Sequence, residues 1–439
     1  MDYTVYTDSP RIFLRERRLR LLKRERERQS MRWQQFDAMI SGKARMDETG
    51  FAYALYGAVS GEPGACRTAA DWVISSANPN DPGDLRQSAL VYDWCQTTLG
   101  EARSSQIARK LTPALSGRPT SPQAVRSAVF AALAAADLEP KASAALLQYS
   151  VEGWWQKQIQ PQLKAGRNPL QRKADLMAVV EFLHVIRDNL RADLREGSMK
   201  WFEQLPPMLV LSYYPAPWPA AENEYRIPAY EGPGEPDLRE SALGRAVELA
   251  LVAYDSNAQP NQFLQGWLIQ DRFLMRGPFG ITHEFLWANP YLPGLSYTYM
   301  PDQAHTAGVL LARSDWDEDA TWFGYRDGKA QVFRNGTRMQ MRLDGEVAPL
   351  TLGATRIFFG QSGLAFTTGW LETGVDAARP LKEEFAFVVG LEPDTLYDLE
   401  VDDEELAEAR TDSGGILALA FPVGRKAGVR IRKSNPLSD

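Results

Sequence analysis

The stretch that decides the fold is AGVLLARSDWDEDATWFGYRDGK, from Ala307 to Lys329. Its two apolar runs, GVLLAR and ATWFGYR, flank an acidic turn, and this pattern predicts two paired β-strands. The Asp-Gly pair in RDGK and the Asn-Gly pair in RNGT favour tight hairpins to further strands. Because similar runs recur to the end of the chain, we predict an antiparallel β-sandwich over residues 301–439.

The chain before this stretch has helical periodicity. From Ser9 to about Met275, apolar residues recur at spacings of three and four, and turn signals such as GEPG at residues 61–64 separate the helices. The alanine-rich face AVFAALAAAD permits close contact between helices, which favours a ring or solenoid of helical hairpins. Overall, the sequence predicts an α+β protein with a helical domain over residues 1–300 and a β-domain over residues 301–439.

Composition excludes several classes of protein. None of the apolar runs approaches the roughly 18 residues that a membrane-spanning helix needs, so we expect a soluble protein that does not contact a membrane. The net charge of -7 argues against nucleic acid as a partner. Cys66 and Cys95 have no metal-ligand spacing, and we predict neither a disulfide framework nor a zinc site. The opening residues, MDYTVYTDSP, lack the pattern of a signal peptide.

The first helical segment is unusually basic. Between Arg11 and Arg28 there are nine basic and three acidic residues. Two interpretations remain open: an anion-binding helix, or a solvated helix face with charge pairs three and four residues apart.

Three motifs resemble those of heparinase II/III-like proteins, a group of polysaccharide lyases. They are SPRIFLRERRLRLLKRE from Ser9 to Glu25, VYDW from Val91 to Trp94, and the Arg-Ser-x-Trp of residues 313–316 that is followed by acidic residues. The resemblance implies an incomplete α/α toroid followed by an antiparallel β-sandwich. It also implies an acidic, uronate-containing polysaccharide as partner and a periplasmic or secreted location. We expect no cofactor.

A lyase of this kind removes the proton next to a uronate carboxylate. It needs cationic or amide groups that neutralise the carboxylate, and a base such as Tyr or His within hydrogen-bond reach of the proton. Two loops carry such residues, ENEYRIPAY and GITHEFLWANPYLPGLSY. We predict Tyr225, Tyr230 and His283 as catalytic residues. The predicted substrate-binding residues are Glu222, Asn223, Arg226, Trp287, Asn289 and Arg313. We expect no metal site.

Each of these loops has a structural alternative. ENEYRIPAY is also typical of a proline-braced surface loop, and the aromatic residues around His283 could join the helices to the sandwich. We predict that His184 is structural and paired with a carboxylate, whereas His305 lies in the linker before the first strand.

The β-region departs from the lyase pattern, because DGKAQVFRNGTRMQMRLDG contains no histidine where the family carries one. Two other functions therefore stay open. One is an inactive glycan-binding or scaffold protein derived from the lyase fold. The other is a toroid glycoside hydrolase that uses carboxylates such as Glu222, Asp237 or Glu284.

Overall fold

The computed structural model describes residues 1–218, 226–232, 234–271, 275–343, 347–360, 363–371, 382–403 and 405–434. Helices occupy the first three hundred residues, and strands follow them. The α-helices are α1 Glu16–Glu27, α2 Met31–Ser41, α3 Thr49–Ser60, α4 Pro63–Ser75, α5 Pro82–Leu111, α6 Pro122–Ala134, α7 Pro140–Gln148, α8 Gln160–Lys164, α9 Lys173–Leu190, α10 Met199–Leu211, α11 Leu238–Tyr254, α12 Gln259–Gln270 and α13 Gly280–Trp287.

Local sequence explains where several of these helices begin and end. The side chains of Ser30, Asp81 and Ser121 each accept a hydrogen bond from a backbone N–H in the first turn of α2, α5 and α6, as N-cap residues do. The predicted break at GEPG is confirmed: α3 ends before Gly61, whose φ is 78°. Gly100 interrupts α5, because its φ of 71° and ψ of 165° are not helical, so this range comprises two helices joined at a kink.

Two of the motifs quoted above form one structural joint. The Asp93 carboxylate accepts hydrogen bonds from the backbone N–H groups of Arg11 and Ile12, at 2.8–3.0 Å. Trp94 Nε1 donates to the Ile12 carbonyl at 2.8 Å. The VYDW motif on α5 therefore fixes the SPRIF segment, and with it the start of α1.

A disulfide joins α4 to α5. Cys66 and Cys95 are bonded, with their Cα atoms 5.5 Å apart, so our expectation of no disulfide was wrong. The two cysteines are 29 residues apart in sequence, and they meet only because α4 and α5 pack side by side. Sequence spacing alone gave no sign of that contact.

The strands form three sheets. They are β1 Gln303–Thr306, β2 Val309–Arg313, β3 Trp322–Arg326, β4 Lys329–Arg334, β5 Thr337–Met341, β6 Leu350–Leu352, β7 Thr355–Phe359, β8 Gly363–Thr367, β9 Glu383–Val389, β10 Leu396–Val401, β11 Glu405–Arg410, β12 Leu417–Pro422 and β13 Gly428–Lys433. The first sheet is an antiparallel meander in the order β1-β2-β3-β4-β5. The others run β12-β9-β7-β6 and β11-β10-β13-β8, and β7 pairs with β9 in parallel.

The sheets stack in three layers, which corrects the predicted two-sheet antiparallel sandwich. Apolar residues of the meander, such as Leu310 and Phe323, pack against Ile357 and Phe387 of the β12-β9-β7-β6 sheet. The opposite face of that middle sheet packs against the third sheet. Tyr397, in the segment GLEPDTLY, is buried, and its hydroxyl accepts a hydrogen bond from the Glu392 backbone N–H, as the corner tyrosine of sandwich folds bonds to the backbone a few residues upstream.

The helices contact the outer face of the meander. Tyr214, which follows α10, stacks on Phe333 of β4 with ring centroids 4.7 Å apart. Trp322 of β3 donates from Nε1 to the Leu211 carbonyl at 2.7 Å. The architecture is therefore α+β, with a helical region followed by antiparallel and mixed sheets. Within the described ranges, the helices are too short or too polar to cross a membrane.

Candidate anion-binding site

A cavity of about 910 Å³ opens beside α1. Its wall combines α1 and the residues before it, the C-terminal ends of α9 and α11, and α13 with the segment that follows it. The charged residues that line it are Arg15, Arg17, Arg18, Arg20, Arg24, Arg187 and Asp188. Six arginines and one carboxylate thus line the same cavity, so positive charge is in excess there.

Three of these arginines have partners within the protein. Arg15 donates to the Asp8 carbonyl at 3.1 Å, and Arg20 forms an ion pair with Glu16 one helical turn away. Arg187 donates to the Tyr254 carbonyl, which lies at the C-terminus of α11, where a cation is favoured. Local structure therefore accounts for these three cations.

The other three have neither a hydrogen-bond nor an ion-pair partner among the described side chains and backbone. They are Arg17, Arg18 and Arg24. Arg17 and Arg24 are exposed to solvent. Arg18 lies deeper, with its guanidinium 4.4 Å from the centre of the Trp287 ring, in a cation–π contact. Burial lowers the pKa of Arg18 to about 10, Asp188 opposes this shift, and Arg187 adds to it. These arginines are available to an anionic ligand.

Two predicted site residues, Trp287 and Asn289, lie in this cavity. Trp287 is buried and packs against Phe13, with ring centroids 4.8 Å apart. Its role is to support Arg18 and the wall. The cavity also contains Tyr291, whose side chain is 62% exposed. The arginines of α1 were not among the predicted site residues, although the excess of nine basic over three acidic residues between Arg11 and Arg28 left an anion-binding helix open as one interpretation.

His283 lies elsewhere, inside a buried ion network. Its Nε2 is 2.9 Å from Glu48 Oε2, and Glu48 accepts from Arg86 at 3.0 Å. Arg86 also binds Glu181 through two nitrogens, and Arg126 donates to Glu181 at 2.6 Å. The network joins helices α5, α6, α9 and α13 to the start of α3. His283 is 2% exposed, so it is closed to a polymer in this arrangement.

Tyr230 lines a different cavity, of about 320 Å³, between the helical region and the meander. Its hydroxyl donates to the Gly234 carbonyl at 2.8 Å and accepts from Trp218 Nε1 at 3.3 Å. The Arg338 guanidinium lies 4.2 Å from its ring centre. These contacts hold the loop on the meander.

The predicted arginines also have partners within the protein. Arg226 donates to the Pro215 carbonyl at 2.6 Å and to Glu318 at 2.8 Å. Arg313 is buried and donates to the carbonyls of Asp315 and Asp317. The remaining predicted residues, Glu222, Asn223 and Tyr225, lie outside the described residues.

The described members of the predicted constellation therefore do not lie on one surface. Trp287 and Asn289 share the arginine cavity, whereas His283, Tyr230 and Arg313 belong to three other places in the molecule. The physical reason is that each of these three side chains is already held by contacts within its own element or joint. Their catalytic and binding roles stay predictions.

The remaining residues named from the sequence are two histidines, His184 and His305, and two carboxylates, Asp237 and Glu284. His184 is buried and donates from Nε2 to the Ala250 carbonyl at 2.8 Å, so the predicted carboxylate partner was wrong. His305 lies on β1 and contacts Asp412 at 2.9 Å. Asp237 caps α11. Burial raises the pKa of Glu284, while Arg32 and Arg245 oppose that rise.

One acidic group has the spacing of metal ligands. The carboxylates of Asp315, Asp317 and Asp319 have oxygen atoms within 4.8 Å of one another, and all three residues are exposed. Clusters of this kind are common on protein surfaces without an ion, and we assign no metal site to it.

Comparison with known proteins adds little to this description. No protein-family model matches the chain, and no curated protein does. Among solved structures, a chain titled "Glycoside hydrolase" aligns with 89% of this chain and 72% of its own length, at a TM-score of 0.31 and 8% identity. A TM-score this low supports no argument about fold or function, so the geometry carries the proposal below.

Proposed function

We propose that the protein binds an anionic polysaccharide in the arginine cavity beside α1. The observation that carries this proposal is the excess of cations there: Arg17, Arg18 and Arg24 have no ion-pair partner in the described chain, and one carboxylate, Asp188, lines the same cavity. Guanidinium groups bind carboxylates through parallel hydrogen bonds. A polymer that bears carboxylates supplies the missing partners.

The uncharged part of the cavity favours a sugar over a small inorganic anion. Leu21, Tyr291 and Leu292 line it together with the arginines, so a ligand meets apolar and aromatic surface between charged groups. Sugar rings present C–H faces that pack on such surface while their carboxylates reach the guanidinium groups. The volume of about 910 Å³ admits more than one sugar residue, since sites for drug-sized ligands span about 300–1,000 Å³.

The described residues support binding better than cleavage. A hydrolase requires two carboxylates across one cleft, and Asp188 is the one described carboxylate in the arginine cavity. β-Elimination by Tyr225, Tyr230 or His283 and hydrolysis by Glu222, Asp237 or Glu284 both stay predictions.

We also propose that the helices form an incomplete α/α toroid and that the boundary between two domains lies at residues 300 and 301. In support, the buried residues of the main helical cluster end at Met300, and two clusters of the sheets begin beyond it. A further cluster, in which Leu211 and Tyr214 pack on Trp322 and Phe333, joins the two regions. A periplasmic or secreted location is the third part of the proposal. It is supported by the Cys66–Cys95 disulfide, because disulfides persist in oxidising compartments.

Calorimetric titration with polygalacturonate tests the binding proposal. We expect binding that weakens as salt concentration rises, and little binding to the same polymer after its carboxylates are reduced to alcohols. The triple variant Arg17→Ala, Arg18→Ala, Arg24→Ala should bind the intact polymer at least about a hundredfold more weakly, since three charged contacts of about 1 kcal/mol or more each sum to about 3 kcal/mol or more.

A matched triple variant removes the same charge from elsewhere. Arg67, Arg109 and Arg276 are exposed and do not line the cavity, and their replacement by alanine should change the affinity less than twofold. Equal weakening by both triple variants, or equal binding of the intact and the reduced polymer, would contradict the proposal. Ultraviolet absorbance of the unsaturated product, followed in the same mixtures, tests β-elimination separately.

A further inference from the structure

The unpaired arginines of α1 are arranged in register along the helix. Arg17 and Arg24 are seven residues apart, which is close to two helical turns, so both side chains leave the same face of α1. At a rise of 1.5 Å per residue, their Cα atoms are separated by about 10.5 Å along the axis. Both line the cavity.

Three other lining residues of α1, Arg18, Arg20 and Leu21, lie between these two arginines in the sequence. Arg18 lies deeper, with its guanidinium 4.4 Å from the centre of the Trp287 ring. Leu21, one turn after Arg17, lines the cavity there. Arg20 also lies between them, but it is paired with Glu16. Across the cavity, Tyr291 presents an exposed ring. On the helix face that carries Arg17 and Arg24, the order is thus a free cation, the apolar Leu21 and a second free cation.

We propose that the cavity binds an extended polyuronate that lies along α1, with Arg17 and Arg24 contacting the carboxylates of alternate sugar residues. We call this match between the two arginines and the spaced carboxylates the register. This inference rests on the proposed function and specifies it. In a ribbon-like chain of linked uronates, successive rings turn opposite edges to a given side, so carboxylates recur on one edge at every second sugar. The sugar between them packs on Leu21. The shortest oligomer that engages both arginines is a trisaccharide.

Convergence of both side chains on one anion is the competing arrangement. Arginine side chains are long and flexible, and a single carboxylate held by two guanidinium groups would need no polymer. The two arrangements differ in how affinity depends on ligand length. A register along α1 gives a step in affinity when the oligomer becomes long enough, whereas convergence gives none.

Calorimetry with galacturonic acid and its di-, tri-, tetra- and hexasaccharides separates these arrangements. With the unaltered protein we expect weak binding of the mono- and disaccharide and a gain of about tenfold between the disaccharide and the tetrasaccharide, from the second charged contact. In Arg24→Ala this gain should disappear, so that the tetrasaccharide binds like the disaccharide. Arg28→Ala, which removes the same charge from the end of α1 outside the cavity, should keep the gain.

Three results would overturn the register. One is a tetrasaccharide that binds no tighter than the disaccharide although polygalacturonate binds. The second is an equal loss for every oligomer in Arg24→Ala, as convergence on one anion requires. The third is loss of the gain in Arg28→Ala, which would assign it to the charge of the helix as a whole. These results leave the proposed function in place. If neither the oligomers nor polygalacturonate bind, the proposed function fails and the register fails with it.

Discussion

The molecule contains two clusters of arginines with opposite surroundings. In the buried network of α5, α6 and α9, Arg86 and Arg126 share Glu181, and Arg86 also binds Glu48. In the cavity beside α1, Arg17 and Arg24 have no such partner among the described residues. Arginine side chains are therefore neutralised by carboxylates in the network, whereas they leave an excess of positive charge in the cavity.

This difference distinguishes the buried arginines, which stabilise the fold, from the cavity arginines, which are free to bind a ligand. A buried guanidinium is tolerated because carboxylates compensate its lost hydration. An exposed guanidinium keeps its hydration and needs no compensation, so the fold gains little from it. The network should therefore respond to substitution with a loss of stability, and the cavity with a loss of binding.

The largest expected effect is on the network. Replacing Glu181 by glutamine removes the charge that Arg86 and Arg126 share, and it leaves two buried cations under-compensated. We expect the free energy of unfolding to fall by about 3–5 kcal/mol, measured by urea denaturation at neutral pH. Glu27→Gln is the matched control, because Glu27 is exposed on α1, and it should change stability by no more than about 0.5 kcal/mol. If Glu181→Gln changed stability as little as Glu27→Gln, the network would not stabilise the fold and the contrast between the two clusters would be contradicted.

Much of the fold follows from local sequence. The hairpins at RDGK and RNGT were predicted from their dipeptides, and Asp327, Gly328, Asn335 and Gly336 all adopt positive φ, as the favoured two-residue turns require. The parallel pairing of β7 with β9 could not be predicted in this way, because it joins strands that are separated by β8 in another sheet. Local pattern specifies a strand and its turn, but the choice of a distant partner depends on packing.

The candidate site was predictable only in part, for the same reason. Trp287 and Asn289 were found because aromatic and amide residues cluster in one segment, and that segment does line the cavity. The basic face of α1 left two interpretations open, since helical spacing says which residues share a face and not what that face meets. His283 attracted attention as one of three histidines, but its partner Glu48 is 235 residues away in sequence.

An intermediate effect on stability is expected when the pH is lowered, through Glu48 at the edge of the network. Burial alone would raise the pKa of Glu48. The opposing effect of Arg86 and His283 is larger, and it lowers this pKa to about 2. The unfolded chain has an ordinary value of about 4.3. Because the folded pKa is the lower one, this carboxylate contributes stability above about pH 4.3, and the contribution is lost as the pH falls toward 2.

Urea unfolding of the protein and of Glu48→Gln over this range measures that contribution. The two should differ by up to about 3 kcal/mol near neutral pH and converge in acid. Glu203→Gln, at an exposed position of α10, should give a small difference that does not vary with pH. A Glu48→Gln difference that stays constant down to pH 2 would mean that the carboxylate is not held by cations, and the contrast between the clusters would lose its electrostatic basis.

The smallest expected effect is on the stability of the cavity arginines. Replacing both Arg17 and Arg24 by alanine removes no described hydrogen bond or ion pair, introduces the residue that favours helices most, and relieves repulsion between Arg24 and Arg20 one turn before it. We expect the free energy of unfolding without ligand to change by no more than about 0.5 kcal/mol, and to rise slightly at low salt. Thermal and urea unfolding in the absence of polysaccharide would measure it. A loss of more than about 1 kcal/mol would mean that these cations hold the fold as Arg86 does, and the distinction between a structural and a ligand-binding cluster would not stand.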